Sequence, residues 1–83
     1  MEVKVLFFAR SRELAGTPEA QLHLPEGSTT SALLEQLLSQ FPQLSEIRGA
    51  FVFSLNQEYL AAGQEAPLKS GDEVAIIPPI SGG

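Results

Sequence analysis

Only one stretch of this 83-residue chain carries an apolar stripe at helical spacing long enough to cover a sheet: STTSALLEQLLSQF, residues 28–41. Leu33, Leu34, Leu37, Leu38 and Phe41 recur three, four, seven and eight apart, which places them on one helical face. Ser28 or Thr29 is expected to cap the N-terminus through its side-chain oxygen, and Pro42 ends the helix. The other apolar runs are short and have strand chemistry. One helix therefore has to serve a whole sheet, and it can cover only one face of it.

EVKVLFFA (2–9) is rich in β-branched and aromatic residues and reads as the first strand. RSRELAG (10–16) is a helical turn stopped by Gly16. AQLHL (20–24) alternates, with Ala20, Leu22 and Leu24 on one side and Gln21 and His23 on the other, so residues 1–24 form a hairpin. AFVFSLN (50–56) is the third strand, with Phe51, Phe53 and Leu55 pointing one way, and QEYLAAG (57–63) is a short edge strand or a turn. KSG (69–71) turns the chain into DEVAIIP (72–78), whose nearly continuous apolar run marks a central strand.

This order of elements is an α+β roll of the β-grasp type: a mixed sheet of four to five strands with one main helix packed on one face. Residues 1–77 are expected to form that single domain and 78–83 a flexible Gly-Gly tail. A hydrophobic content of 43% is globular, and a chain of this length buries about 60–65% of its unfolded surface, too little for a deep enclosed active site.

Alternation also sorts the faces of the sheet. Val3, Val5 and Phe7 share one side of the first strand, and Lys4, Leu6 and Phe8 the other. In the last strand Val74 and Ile76 oppose Glu73, Ala75 and Ile77. Charged side chains rarely face a dry core, so Lys4 and Glu73 mark the outer face. Leu6, Phe8, Ala75 and Ile77 then form an apolar group on the side the helix leaves bare, which either packs under a loop or, beside the point where the tail leaves the sheet, serves as a docking patch for a partner.

Side-chain catalysis has little support. The chain has no cysteine, which excludes disulfides, thiolate metal sites and thiol nucleophiles, and no metal site is expected. His23, the single histidine, sits between Leu22 and Leu24 and reads as an exposed bystander. Asp72 and Glu73 are neighbours on a strand and point to opposite faces. The glycines form neither a P-loop nor a dinucleotide fingerprint. A net charge of −5 without a basic cluster argues against nucleic acid as a partner, and no membrane span or signal peptide is present, so a complete cytoplasmic protein is expected.

The remaining chemistry lies in IIPPISGG, residues 76–83. Pro78 and Pro79 stiffen the exit from the sheet. From Pro78 to Gly83 an extended chain reaches about 20 Å at roughly 3.3–3.6 Å per residue. Gly82 and Gly83 make a tip thin enough to pass a channel closed to any Cβ. The Gly83 carboxylate, ionised with a pKa of about 3.5, is a poor electrophile until it is activated, most simply as an acyl-adenylate made from ATP by another protein.

VLFFARSRELAG (5–16) and GDEVAIIPPISGG (71–83) resemble the first strand with its Arg-Glu-Leu turn and the C-terminal signature of one family. It is the small, sulfur-carrying subunit of molybdopterin synthase, a β-grasp relative of ubiquitin. Both blocks fit the family pattern without departure, and the middle of the chain is similar in order of elements rather than in residues. The resemblance implies that an E1-like adenylyltransferase converts Gly83 to a glycyl-adenylate and that a sulfur donor turns this into a thiocarboxylate. The tail, including Ile80 and Ser81, then enters the active site of the large synthase subunit, where sulfur passes to cyclic pyranopterin monophosphate to build the dithiolene. The chain would thus be no enzyme alone but part of an assembly of two small and two large subunits, with no bound cofactor. By position in the family, Phe8 and Ile77 are apolar contact residues and Arg12 a polar one. A thiamine-pathway sulfur carrier, a ubiquitin-related modifier that conjugates to lysines, and a non-covalent binding module share the fold and remain open alternatives.

Overall fold

The computed structural model describes residues 1–61 and 64–77. Strand β1 (Glu2–Phe7), helix α1 (Arg10–Ala15), β2 (Glu19–His23), helix α2 (Thr30–Gln40), a 3₁₀ helix (Pro42–Ile47), β3 (Val52–Leu55), β4 (Glu58–Tyr59) and β5 (Glu73–Ile77) follow in order. The five strands form one mixed sheet in the order β2-β1-β5-β3-β4. β1 and β5 run parallel, with Val5 opposite Val74, and the other pairs are antiparallel. The β-grasp expectation holds, with β5 in the middle position its apolar run required.

Helix α2 lies over the inner face and seals it. Leu33 and Leu37 pack with Val3, Val5, Phe7, Leu22, Val74 and Ile76 in one buried cluster. Each such side chain contributes about 1.5–3 kcal/mol of burial. Phe7 meets Phe41 edge-to-face at 5.3 Å, which fixes where the helix ends over the sheet. Leu34, Leu38, Phe51, Phe53 and Leu55 are half-buried, the last three on one side as alternation required.

Strand and helix ends are where the expectations need correction. β1 stops at Phe7 rather than at residue 9, and β5 starts at Glu73 rather than at residue 72. The Asp72 carboxylate accepts from the Lys69 N–H at 2.9 Å and from Asn56 Nδ2 at 3.0 Å, so its side chain builds the turn that leads into β5. The helix begins at Thr30, and no side-chain oxygen caps it. The Ser28 hydroxyl donates to the Pro25 carbonyl at 2.7 Å, and that of Thr29 donates to Glu65. A backbone partner replaces the cap. Thr30 N–H donates to the Ala66 carbonyl at 3.0 Å, and Ala66 N–H returns a bond to Thr30 Oγ1 at 3.2 Å. Ala66 and Leu68 are thereby buried against the start of α2.

Positive φ shapes several turns, among them the end of α1 and the β3–β4 connection. Gly16 stops α1 at φ 76° and donates to the Arg12 carbonyl at 2.9 Å, in the left-handed conformation expected of it. Asn56 and Gln57 (φ 49° and 73°) make the two-residue β3–β4 connection, both in the region a type I′ hairpin turn demands. The Asn56 side chain ties this turn to β5 by accepting from the Glu73 N–H at 3.0 Å.

Candidate functional site

The outer face of the sheet is built by register. Glu19, Leu6, Ala75, Ser54 and Tyr59 stand in one row across all five strands. One step toward the start of β1, Lys4 lies between Gln21 and Glu73. Toward the other end Ile77 faces Val52, and Phe8 follows Leu6 by two residues. Small Ala75 and Ser54 in the middle of the row leave a hollow of about 280 Å³ whose lining includes Leu6, Phe8, Tyr59 and Glu73. Phe8 is 48% and Tyr59 73% exposed, the two exposed large apolar side chains among the described residues. Both border this hollow.

Lys4, Glu19 and Glu73 are the charged members of these rows. Lys4 Nζ reaches Glu19 Oε2 at 3.0 Å, and the hydrogen bond to Glu19, the Glu19 charge and then Glu73 raise the ammonium above its ordinary value. Lys4 is thus held as a cation between two carboxylates. The Leu6, Phe8, Ala75 and Ile77 group carries no charge of its own and stays available to an apolar partner surface.

The structure brings Phe8 and Ile77 to the same face, as their strands' alternation required, with Ile77 half-buried beside Val52. Arg12 is exposed on α1 but does not line the hollow. Its neighbour Arg10 is tied to Glu13 at 3.0 Å and to Glu46 at 2.9 Å, whereas Arg12 forms no ion pair among the described residues. Pro78, Pro79, Ile80, Ser81, Gly82 and Gly83 lie outside the described residues. His23 is exposed, with Nε2 3.5 Å from Glu2. Among the described residues no three or more His, Asp or Glu side chains come together as a metal site.

Tyr59 is the member of the face that sequence reasoning missed. β4 has two residues, too few for alternation to be read, and only the Ser54 pairing reveals its side. Asn-Gln before it was the available signal, since a two-residue hairpin turn at 56–57 would have set the register of Tyr59 against Ser54.

One main helix, α2, on one face of a five-stranded mixed sheet defines a ubiquitin-like β-grasp protein whose opposite face exposes apolar side chains. The ThiS family matches residues 5–83, and the chain belongs to that family. It is 51% identical over 83 residues to the molybdopterin synthase sulfur carrier subunit of Arabidopsis thaliana, covering 100% of this chain and 84% of that protein. Its identity to the protein of the same name in Chlamydomonas reinhardtii is 49%, with 100% of both chains covered. Among solved structures, the small archaeal modifier protein 1 of Methanosarcina acetivorans superposes with a TM-score of 0.83 at 34% identity, covering 99% of this chain and 96% of that one. A chain of the protein–protein complex of subunits 1 and 2 of the molybdopterin-converting factor from Helicobacter pylori 26695 gives a TM-score of 0.68 at 25% identity, with 100% of each chain covered.

Proposed function

We propose that this protein is a sulfur carrier of molybdenum cofactor biosynthesis that acts as the small subunit of a molybdopterin synthase. The observation that carries the reading is the bare apolar face. Phe8 and Ile77 lie on it, and Ile77 is the residue immediately before the segment 78–83, in a chain that matches proteins named sulfur carrier subunits along its whole length.

The chemistry belongs to the Gly83 carboxylate, and the face delivers it. An E1-like partner binds the face and ATP, and a carboxylate oxygen of Gly83 attacks the α-phosphorus with loss of pyrophosphate. A sulfide equivalent from a donor then attacks the acyl carbon and AMP leaves, which produces the thiocarboxylate. The same face docks on the large subunit. Phe8, Tyr59 and Ile77 supply apolar contact, Arg12 a polar one, and Pro78, Pro79, Ile80 and Ser81 contact the large subunit as the tail carries Gly82 and Gly83 into its active site. There the sulfur passes to cyclic pyranopterin monophosphate, within an assembly of two small and two large subunits in the cytoplasm. A tail that serves two enzymes in turn needs reversible docking, which suits a modest patch joined to a thin, threadable end.

Similarity to a modifier protein favours a second reading, in which the activated Gly83 is passed to a lysine amine. Both readings share the adenylate and differ in the acceptor. The test is reconstitution of the chain with an E1-like enzyme, ATP, sulfide, the large subunit and cyclic pyranopterin monophosphate. Dithiolene formation that requires this chain is the expected result. Isopeptide-linked products with no dithiolene would establish the second reading in its place.

A further inference from the structure

Ser11 is completely buried although it sits in the polar run Arg10-Ser11-Arg12-Glu13. Its hydroxyl holds both backbone polar groups of Phe8. The Phe8 N–H donates to Ser11 Oγ at 3.0 Å, and the hydroxyl donates to the Phe8 carbonyl at 2.7 Å. The Ser11 N–H adds a third bond to that carbonyl at 3.1 Å.

This arrangement interrupts the sheet at one particular rung. Lys4 N–H donates across the parallel pair to the Asp72 carbonyl at 3.0 Å. Donors on one strand of a parallel ladder recur every second residue, so the following rungs fall to Leu6 and then to Phe8, opposite the Ile76 carbonyl. Phe8 gives its N–H to Ser11 instead. Ser11 Oγ stands 3.5 Å from the Ile76 oxygen, at the far limit of bonding, because its one hydrogen is already directed to Phe8. The chain then turns through Ala9 at φ 52° and ψ −128°, a conformation that an L-residue adopts only under strain. Phe8 leaves the sheet with its ring exposed.

We infer that Ser11 is a positioning residue for docking: its hydroxyl ends the β1–β5 ladder one rung early and sets the Phe8 ring at the height from which it meets a partner protein. The inference rests on the docking role of the outer face proposed above. Without the hydroxyl, the Phe8 N–H has the Ile76 carbonyl as its alternative acceptor. The ladder gains a rung, the strain at Ala9 is released, and Phe8 is drawn down beside Ile77.

The test has two arms, both on the full chain. In the free protein, Ser11→Ala is expected to shift the Phe8 amide resonance and to create a through-bond coupling from its nitrogen to the Ile76 carbonyl carbon. Val5 and Val74 amides should stay where they are. A Phe8 amide that keeps its shift in the variant overturns the inference. The second arm is a double-mutant cycle for binding to the large subunit of a molybdopterin synthase. Ser11→Ala should weaken binding about tenfold in the native background and less than about twofold when Phe8 is already alanine. An equal loss in both backgrounds would mean that Ser11 does not act through Phe8. Absence of binding by the unmodified chain would refute the proposed function and leave the first arm to judge Ser11.

Discussion

Phe7 and Phe8 are consecutive residues on opposite faces of the sheet: Phe7 is 2% exposed against Phe41, and Phe8 is 48% exposed beside the outer hollow. The two positions therefore separate the core from the face proposed to dock. Phe7→Leu should cost about 1–2 kcal/mol in urea unfolding, since a smaller side chain leaves the edge-to-face contact with Phe41 unfilled. Phe8→Ala should change unfolding by less than about 0.5 kcal/mol and weaken binding to the large subunit. Similar losses of stability in both variants would contradict the assignment of faces.

Replacing Phe8 or Ile77 by aspartate makes the stronger case, because association would then bury an unpaired charge. A loss of several kcal/mol in affinity is expected, about a hundredfold or more, with a far smaller change in the melting of the free chain. Tyr59→Asp should behave in the same way. If Tyr59→Asp binds normally, the partner stops short of β4 and the working patch ends at β5.

The faces could be read from the sequence because two charges and two alternating strands agreed. Lys4 and Glu73 stand opposite each other in the parallel register and mark the same side. The position of β5 followed from its apolar run, which needs cover from both neighbours. What escaped reading depends on contacts distant in sequence. The cap of α2 is the Ala66 carbonyl, 36 residues beyond Thr30, and no local signal in Gln64–Leu68 announces it. Ser11 looks like one more polar residue of a surface helix until the Phe8 backbone is seen wrapped around its hydroxyl. The role of the tail, by contrast, rests on its residues alone, since 78–83 are outside the described structure.

Glu65 provides a pH-dependent prediction. Hydrogen bonds from the Thr29 hydroxyl and then from the Ser31 hydroxyl lower its pKa from the ordinary 4.5. A carboxylate whose folded value is lowered contributes stability that is fully present above its unfolded value and is lost as pH falls through the folded one. Thr29→Val should therefore move the Glu65 titration, followed by carboxyl carbon NMR, up toward the ordinary value and flatten the dependence of stability on pH below 4.5. No movement of that titration would show that the hydroxyls are not what holds the charge.

Gly82 tests the threading step. If the face behind the tail supplies the affinity, as proposed, a bulky residue there, such as Gly82→Leu, should stop sulfur transfer while binding to the large subunit stays within about tenfold. Residues added after Gly83 should abolish transfer and leave the melting temperature unchanged. Equal losses of binding and transfer in Gly82→Leu would move the affinity from the face to the tail.

The most direct measurement of the central claim is the intact mass of the chain after incubation with an E1-like enzyme, ATP and a sulfide source, followed by mapping of its C-terminal peptide. The expected result is one sulfur in place of one oxygen, located at Gly83 and dependent on ATP. An unchanged mass, or a sulfur that maps to any other residue, would contradict the proposal that this protein carries sulfur on its terminal carboxylate.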